Sequence, residues 1–144
     1  AMESKKTSES KKEKTKRGED LMRKLDIIEV ADNDINEVSG GQLQRACICR
    51  SMINKPKVLF ADEPTGALNR TASNEVMKEL VKLNEEGTTI MMVTHDAKVA
   101  AKCSRVLYIV DGNIKGEYNS PKEKDVQEKD RERMLNNWLM ELGW

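Results

Sequence analysis

Residues 58–63 read VLFADE, an apolar run that ends in two acids. The run is too short for a buried helix and predicts a buried parallel strand. In an open α/β sheet, ligands bind beyond the carboxyl ends of the strands. Asp62 at such an end can hold a hydrated magnesium ion. The neighbouring Glu63 can orient a water molecule and accept a proton from it. An acidic turn before Pro64 is the plainer alternative.

Strands and helices alternate along the sequence that follows. The predicted elements are a helix over 71–86, a strand over 89–93, a helix over 97–103 and a strand over 106–110. Gly87 ends the first of these helices, and Asp111-Gly112 marks a turn before a hairpin strand that begins at Ile114. Such alternation predicts an α/β fold with parallel strands joined by right-handed crossovers.

Residues 39–42 read SGGQ and are called the SGGQ turn below. A helix is predicted to begin just after Ser39 and to stop before Pro56, because Ser39 and Gln42 have the spacing of a capping box. Capping alone explains these two residues. The adjacent Gly40 and Gly41 are not needed for a cap, and they remove side chains from a helix N-terminus. The exposed N–H groups and the helix dipole there favour an anion, phosphate in particular.

His95 is the only histidine and follows the predicted strand over 89–93. By the geometry of a parallel sheet it should emerge at the same edge as Glu63. In the structural alternative, Thr94 or Asp96 simply caps the next helix. A position beside a phosphate-type site favours a catalytic role for His95.

The motifs occur in one order on the expected elements, and residues 39–116 resemble the nucleotide-binding domain of ABC transporters. Residues 38–42 resemble the family signature motif, with Val38 where leucine is usual, and residues 58–63 resemble Walker B with Glu63 as its catalytic glutamate. His95 resembles the switch histidine that contacts the γ-phosphate. A segment that resembles the D-loop, called the GALN segment below, consists of Gly66, Ala67, Leu68 and Asn69. The family usually has Asp at the last of these positions.

The resemblance implies a partial P-loop NTPase-like fold, a parallel sheet with flanking helices. It implies hydrolysis of ATP with Mg²⁺ between two identical cassettes arranged head to tail, with the SGGQ turn acting on ATP held by the opposite subunit. Residues 61–68 and 93–96 are similar to the branch that serves lipoprotein, macrolide and antimicrobial-peptide transport, and residues 103–106 to bacitracin-resistance-type exporters. A membrane-spanning permease at the inner face of the cell membrane would be the further partner of this cytoplasmic subunit.

The sequence contains no phosphate-gripping Walker A loop of the form G-x-x-x-x-G-K-[ST]. None of its eight glycines is followed by lysine, and the family's N-terminal β-subdomain is missing as well. Walker A supplies the N–H cradle and the lysine for the β- and γ-phosphates. We therefore expect the isolated chain to take no cofactor and neither to bind nor to hydrolyse ATP. The alternative function is that of a non-enzymatic half-cassette that binds a partner.

Changes in composition and charge along the sequence predict four segments. The four predicted segments are a charged tail over 1–18, either a frayed helix or disordered, a helical signature subdomain over 19–56, the C-terminal part of the ATPase core over 57–120, and an amphipathic helix within 121–144. The last helix is expected to pack on the domain, with partner binding as the alternative. Charges balance at 25 basic and 25 acidic residues, so no nucleic-acid partner is expected, although the basic residues 1–17 leave an arm as an alternative.

Two further expectations concern surfaces and thiols. A sheet without its neighbouring strands exposes edges and apolar faces, so we expect dimerisation, strand exchange or poor order.

Cys47, Cys49 and Cys103 form no C-x-x-C pair and are expected to be small buried hydrophobic residues. No apolar run approaches the length that spans a bilayer, and no signal peptide is recognised.

Overall fold

The computed structural model describes residues 10–121 and 125–144, and its contacts divide the chain after Met92 into two compact units. The first unit contains helices α1 to α3 and strand β1, and β2 lies at the division; the second contains the remaining elements. In chain order the elements are α1 Lys11–Lys24, α2 Gly40–Met52, β1 Val58–Asp62, α3 Arg70–Glu85, β2 Thr89–Val93, α4 Ala97–Ala100, β3 Arg105–Val110, β4 Asn113–Asn119 and α5 Glu128–Glu141. Two 3-10 turns, Ile28–Val30 and Ile35–Glu37, connect α1 to α2.

Helix α1 begins earlier than the sequence analysis expected. Ser10 and Glu13 form a capping box, in which Glu13 N–H donates to Ser10 Oγ over 3.3 Å and Ser10 N–H donates to Glu13 Oε2 over 2.7 Å. This reciprocal pair satisfies helix-start donors within a strongly charged segment. Residues 11–18 are therefore helical, in agreement with the helical alternative for the expected tail, while residues 1–9 of that tail lie outside the described residues.

In the first unit, α2 packs against both α1 and α3. The inner face of α3 consists of the buried Val76, Leu80 and Leu83, while Val81, for which the sequence pattern also predicts the inner face, is only partly buried. The core residues of this unit are Leu25, Ile27, Ile48, Cys49, Met52, Leu59, Val76, Met77, Leu80 and Leu83. The expectation for the cysteines holds for Cys49, whereas Cys47 is exposed and Cys103, in the second unit, is only partly buried. Burial raises the pKa of the Cys49 thiol.

Strands β1 and β2 form a short parallel sheet. Thr89 N–H at the start of β2 donates to the carbonyl of Lys57 just before β1, over 2.9 Å, so the two strands start at the same edge. Helix α3 is the crossover between them, as the alternation predicted. The prediction of a buried strand is wrong for β1, because Leu59 is its only buried residue while Val58 is 42% and Phe60 74% exposed. One face of the strand therefore carries exposed apolar side chains.

Strand β3 pairs antiparallel with β4, as the hairpin prediction required. Asp111 and Gly112 both have positive φ, 49° and 74°, the backbone of a two-residue hairpin turn. The sequence pattern predicted that β3 would continue the parallel sheet, but in the described residues β1–β2 and β3–β4 are separate two-stranded sheets. The tight turn gives β3 a local antiparallel partner, and the described residues supply no strand that joins it to β2.

Helix α5 packs within the second unit, which confirms the packing interpretation of its apolar stripe. Leu135 and Leu139 are buried together with Ala101, against the partly buried Trp138. A Cβ at Gly116 on β4 would lie 2.6 Å from Leu142 Cδ1 and 2.7 Å from Trp138 Cζ2, so a side chain there would have to displace these residues of the C-terminal segment. Within residues 10–121 and 125–144, no helix combines the length and apolar character needed to cross a bilayer.

Candidate functional site

The SGGQ turn is the start of α2 and has the predicted capping box. Gln42 N–H donates to Ser39 Oγ over 3.2 Å, and Ser39 N–H donates to Gln42 Oε1 over 2.8 Å. The N–H groups of the first helical residues, Gly40 and Gly41, have no acceptor within the helix. Ser39 and Gly40 are exposed. The turn therefore presents backbone donors, at the positive end of a 13-residue helix, near the surface.

The two glycines also have a packing role that the sequence analysis missed. A Cβ on Gly41 would lie 3.0 Å from the Cβ of Ala72, and a Cβ on Gly40 would lie 3.2 Å from Leu68 Cδ2. Both distances are tighter than ordinary contacts between side chains. The structure thus brings the SGGQ turn directly against the GALN segment and the first turn of α3.

An ion pair links the same two helices. Arg45 Nη1 on α2 lies 2.7 Å from Glu75 Oε2 on α3, and the Arg45 side chain is only 10% exposed. Sequence reasoning did not single out these residues, since a partner 30 positions away leaves no local signal.

The acids lie where β1 ends. Asp62 is the last residue of the strand and is exposed, and Glu63 follows in the left-handed region with φ of 43°. This conformation is unfavourable for a residue with a side chain, and it turns the chain sharply after the strand. Gly66 N–H donates to the Glu63 carbonyl over 3.1 Å, which closes the turn. The GALN segment therefore begins in contact with Glu63.

Asn69 caps helix α3. Its Oδ1 accepts from the N–H of Ala72 over 3.0 Å. Asn and Asp are equivalent in this role, since either side chain offers an oxygen to the helix start. The departure from the family's usual Asp therefore preserves the local backbone of the GALN segment and removes one negative charge.

His95 is exposed and lies between β2 and α4, in the second unit. Of its two neighbours, Asp96 has the capping role that the alternative proposed. Asp96 is the N-cap of α4 and accepts from Lys98 N–H over 2.8 Å, while Thr94 Oγ1 accepts from Asp96 N–H over 3.1 Å. The expectation that His95 lies at one edge with Glu63 stays a prediction.

The SGGQ turn and Asp62 together could contact the phosphates and the magnesium ion of a nucleotide from one side only. Mg²⁺ usually keeps several water ligands and binds one or two carboxylates together with substrate phosphates, so the isolated Asp62 is a suitable ligand only when phosphates are present. Among the described residues, no three His, Cys, Asp or Glu side chains cluster as a metal site would require. The SGGQ turn offers the N–H donors that a phosphate requires, and the sequence holds no lysine-bearing loop for its other side.

The fold and the SGGQ turn define the class: part of a mixed α/β nucleotide-binding domain of the ABC ATPase type. Residues 1–66 match the model of the ABC transporter family. The chain carries part of the ATP-binding domain of an ABC transporter.

Individual relatives agree with this family. The chain is 44% identical over 104 residues to the uncharacterized ABC transporter ATP-binding protein YknY of Bacillus subtilis (strain 168), which covers 72% of the chain and 45% of that protein. It is 50% identical over 91 residues to the bacitracin export ATP-binding protein BceA of Halalkalibacterium halodurans, covering 62% of the chain and 36% of the relative. The dimeric post-hydrolysis structure of the ATP-binding cassette MJ0796 bound to ADP and Pi superimposes with a TM-score of 0.68 at 35% identity, over 79% of this chain and 50% of that one. The chain thus spans about half the length of these relatives, or less.

Proposed function

We propose that this chain is part of the ATP-hydrolysing domain of an ABC exporter, in which the SGGQ turn completes a nucleotide site on a second cassette. The observation that carries the proposal is the close packing of the turn on the GALN segment and α3, where a Cβ on Gly40 would lie 3.2 Å from Leu68 Cδ2 and a Cβ on Gly41 would lie 3.0 Å from Ala72 Cβ. A capped helix start held this firmly can direct its free N–H groups at a phosphate held by another subunit.

Each motif residue has a role in this proposal. Ser39, Gly40, Gly41 and Gln42 would donate to the phosphates of the nucleotide on the other cassette. Bound MgATP supplies the phosphoryl group that is transferred to water. Asp62 would hold the magnesium ion through water.

The remaining assignments concern catalysis and communication between subunits. Glu63 would orient the attacking water and accept its proton, and His95 would contact the γ-phosphate. The left-handed backbone at Glu63 supports its role, because strained conformations of this kind cluster at functional sites. Gly66, Ala67, Leu68 and Asn69 would serve as the D-loop between the two cassettes.

The proposed partners are a second copy of the ATPase, arranged head to tail, and a membrane-spanning permease. The dimeric MJ0796 cassette supports the first partner, a relative named as a macrolide export ATP-binding/permease protein supports the second, and the bacitracin export relative supports an antimicrobial peptide as cargo. In such an assembly the chain would lie on the cytoplasmic face of the cell membrane. No nucleic acid enters the proposal.

We also propose that the 144-residue chain does not bind or hydrolyse MgATP by itself, because its sequence has no Walker A loop. Titration calorimetry of the chain with MgATP tests this proposal. We expect a Kd above about 1 mM, equivalent to less than about 4 kcal/mol of binding. Micromolar binding would contradict it.

Catalysis is tested in a complete cassette in which this chain replaces the matching part of the Bacillus subtilis relative. We expect MgATP turnover, and Glu63→Gln should lower it by about 100-fold or more, the size of a general-base effect. Glu85→Gln, at an exposed acid near the end of α3, is the matched control and should leave turnover unchanged.

The alternative is a half-cassette that binds a partner without catalysis. The missing phosphate loop and the apolar Phe60, 74% exposed on β1, favour it. A hybrid cassette that folds and binds MgATP but shows no turnover sensitive to Glu63 would support this alternative and reject the enzymatic proposal.

A further inference from the structure

The ion pair between α2 and α3 differs from an ordinary surface pair. Arg45 has a side chain that is 10% exposed, while its partner Glu75 is 52% exposed. A cation that is almost fully removed from water requires a counter-charge, and removal of that partner leaves a buried charge without compensation. The Arg45 Nε is also buried and finds no hydrogen-bond partner among the described residues. Glu75 is therefore the charged group that neutralises this guanidinium.

The ion pair lies next to the closest approach of the two helices. Gly41 and Arg45 are four residues apart on α2, and Ala72 and Glu75 are three apart on α3, so each pair of positions lies on one face of its helix. The Gly41–Ala72 approach fixes how near the helices come, and the Arg45–Glu75 bond at 2.7 Å links them one turn later. Close packing thus holds the first turns of α2 and α3 together, and an ion pair holds their second turns together.

Both helices begin beside this contact. The SGGQ turn starts α2, and Asn69, the last residue of the GALN segment, caps α3. A link between the first two turns of both helices therefore also fixes the two capped segments relative to each other.

We propose that Arg45 and Glu75 are positioning residues that hold the SGGQ turn and the GALN segment as one rigid body. Neither residue touches the nucleotide in this account. The functional consequence rests on the proposed function: a turn that acts on a phosphate held by another subunit must keep a fixed direction, and movement of the GALN segment would be passed directly to it.

The test is amide hydrogen exchange, measured by NMR on the ¹⁵N-labelled 144-residue chain without nucleotide. Two amides report on the two caps: Leu43 N–H, which donates to the Ser39 carbonyl over 2.9 Å, and Ala72 N–H, which donates to Asn69 Oδ1. Glu75→Gln removes the charge and keeps the shape. The matched control is Glu79→Gln, which breaks the Lys82–Glu79 pair, also at 2.7 Å, within α3 itself.

We expect Glu75→Gln to speed exchange at both reporter amides by roughly tenfold, with core amides such as that of Ile48 unchanged. Glu79→Gln should leave both reporters unchanged. The double variant Arg45→Glu/Glu75→Arg, which restores opposite charges, should return both reporters most of the way to the original rate.

Three results would overturn the proposal. The reporters could stay unchanged in Glu75→Gln, or change equally in Glu79→Gln, or accelerate only in step with the core amides, which would mean global destabilisation. If Glu75→Gln does not fold, Glu75→Asp keeps the charge and retracts it by one methylene, and an intermediate acceleration is then expected. Since no nucleotide is present, failure of the ATPase proposal would not alter these outcomes.

Discussion

Glu63 carries both a proposed catalytic carboxylate and a left-handed backbone, with φ of 43°. A non-glycine residue pays on the order of 1–2 kcal/mol for such a conformation, and glycine does not. Glu63→Gly should therefore leave the free energy of unfolding unchanged or raise it by up to about 1 kcal/mol, because the relief of strain outweighs the extra freedom of the unfolded chain. Urea unfolding measures the difference.

The control for this change is Lys78→Gly, at an exposed position inside α3, where glycine should cost about 1 kcal/mol. Equal losses in the two variants would show that Glu63 is not strained. In the hybrid cassette, Glu63→Gly should also abolish turnover, which is the pattern expected when stability is given up for function.

Gly41 and Gly18 provide a second comparison, since both are glycines within helices. A Cβ at Gly41 would lie 3.0 Å from Ala72 Cβ, whereas at Gly18 the nearest atom is Ile53 Cδ1 at 3.7 Å. Gly41→Ala should lower the free energy of unfolding by about 1–2 kcal/mol through overpacking, although alanine favours a helix. Gly18→Ala should raise it by about 0.5–1 kcal/mol.

The mechanism predicts a rescue that stability measurements can check. Ala72→Gly removes the methyl group that Gly41→Ala would meet, so the double variant should recover part of the loss. A Gly41→Ala protein as stable as the original would show that the two helices can separate without cost, and the packing role of the SGGQ glycines would then be wrong.

At the scale of elements, α5 depends on Leu135, which is fully buried, whereas its neighbour Met134 is 42% exposed. Leu135→Ala should cost about 2–5 kcal/mol by loss of buried area and formation of a cavity, and Met134→Ala less than about 1 kcal/mol. Denaturant unfolding followed by tryptophan fluorescence measures this in the second unit, because Trp138 and Trp144 both lie there. Similar losses in the two variants would contradict the packing of α5.

Most elements were predictable because their signals are local. The apolar run VLFA gave β1, the Ser39–Gln42 spacing gave the start of α2, and Asp111-Gly112 gave the hairpin turn. The start of α1 carried an equally local signal, the Ser10–Glu13 spacing, but the density of charge around it suggested a tail.

Long-range features were not predictable from one sequence. The Arg45–Glu75 pair and the close fit of Gly116 against Leu142 join residues that are distant along the chain. Their existence depends on how helices and strands approach one another, which periodicity does not specify. For the same reason, the sequence pattern predicted that β3 is a strand. It did not predict that β4 is its only partner among the described residues.

At the scale of the whole molecule, the chain forms two compact units and spans about half the length of the cassettes it matches, or less. The SGGQ turn, the acids and the GALN segment lie in the first unit, while His95 lies in the second. The predicted dimerisation or strand exchange of the isolated chain stays a prediction, and light scattering tests it. The bare face that carries Phe60 is the physical reason to expect it.

The central claim is that the SGGQ turn acts on a nucleotide held by the opposite cassette, and subunit mixing tests it most directly. Two hybrid cassettes are prepared, one with Ser39→Arg, which blocks the turn, and one with Glu63→Gln, which removes the general base. Each should be inactive alone. In a mixed dimer, the intact Glu63 of one cassette faces the intact SGGQ turn of the other, which restores one complete site.

Random pairing should therefore recover about a quarter of the original MgATP turnover, because half of the dimers are mixed and each contains one complete site of two. The measurement is steady-state phosphate release after the two inactive proteins are denatured together and refolded. Recovery near this level is the result the account predicts. Turnover that stays at the level of the separate variants would show that the turn and Glu63 act within one cassette, and would contradict it.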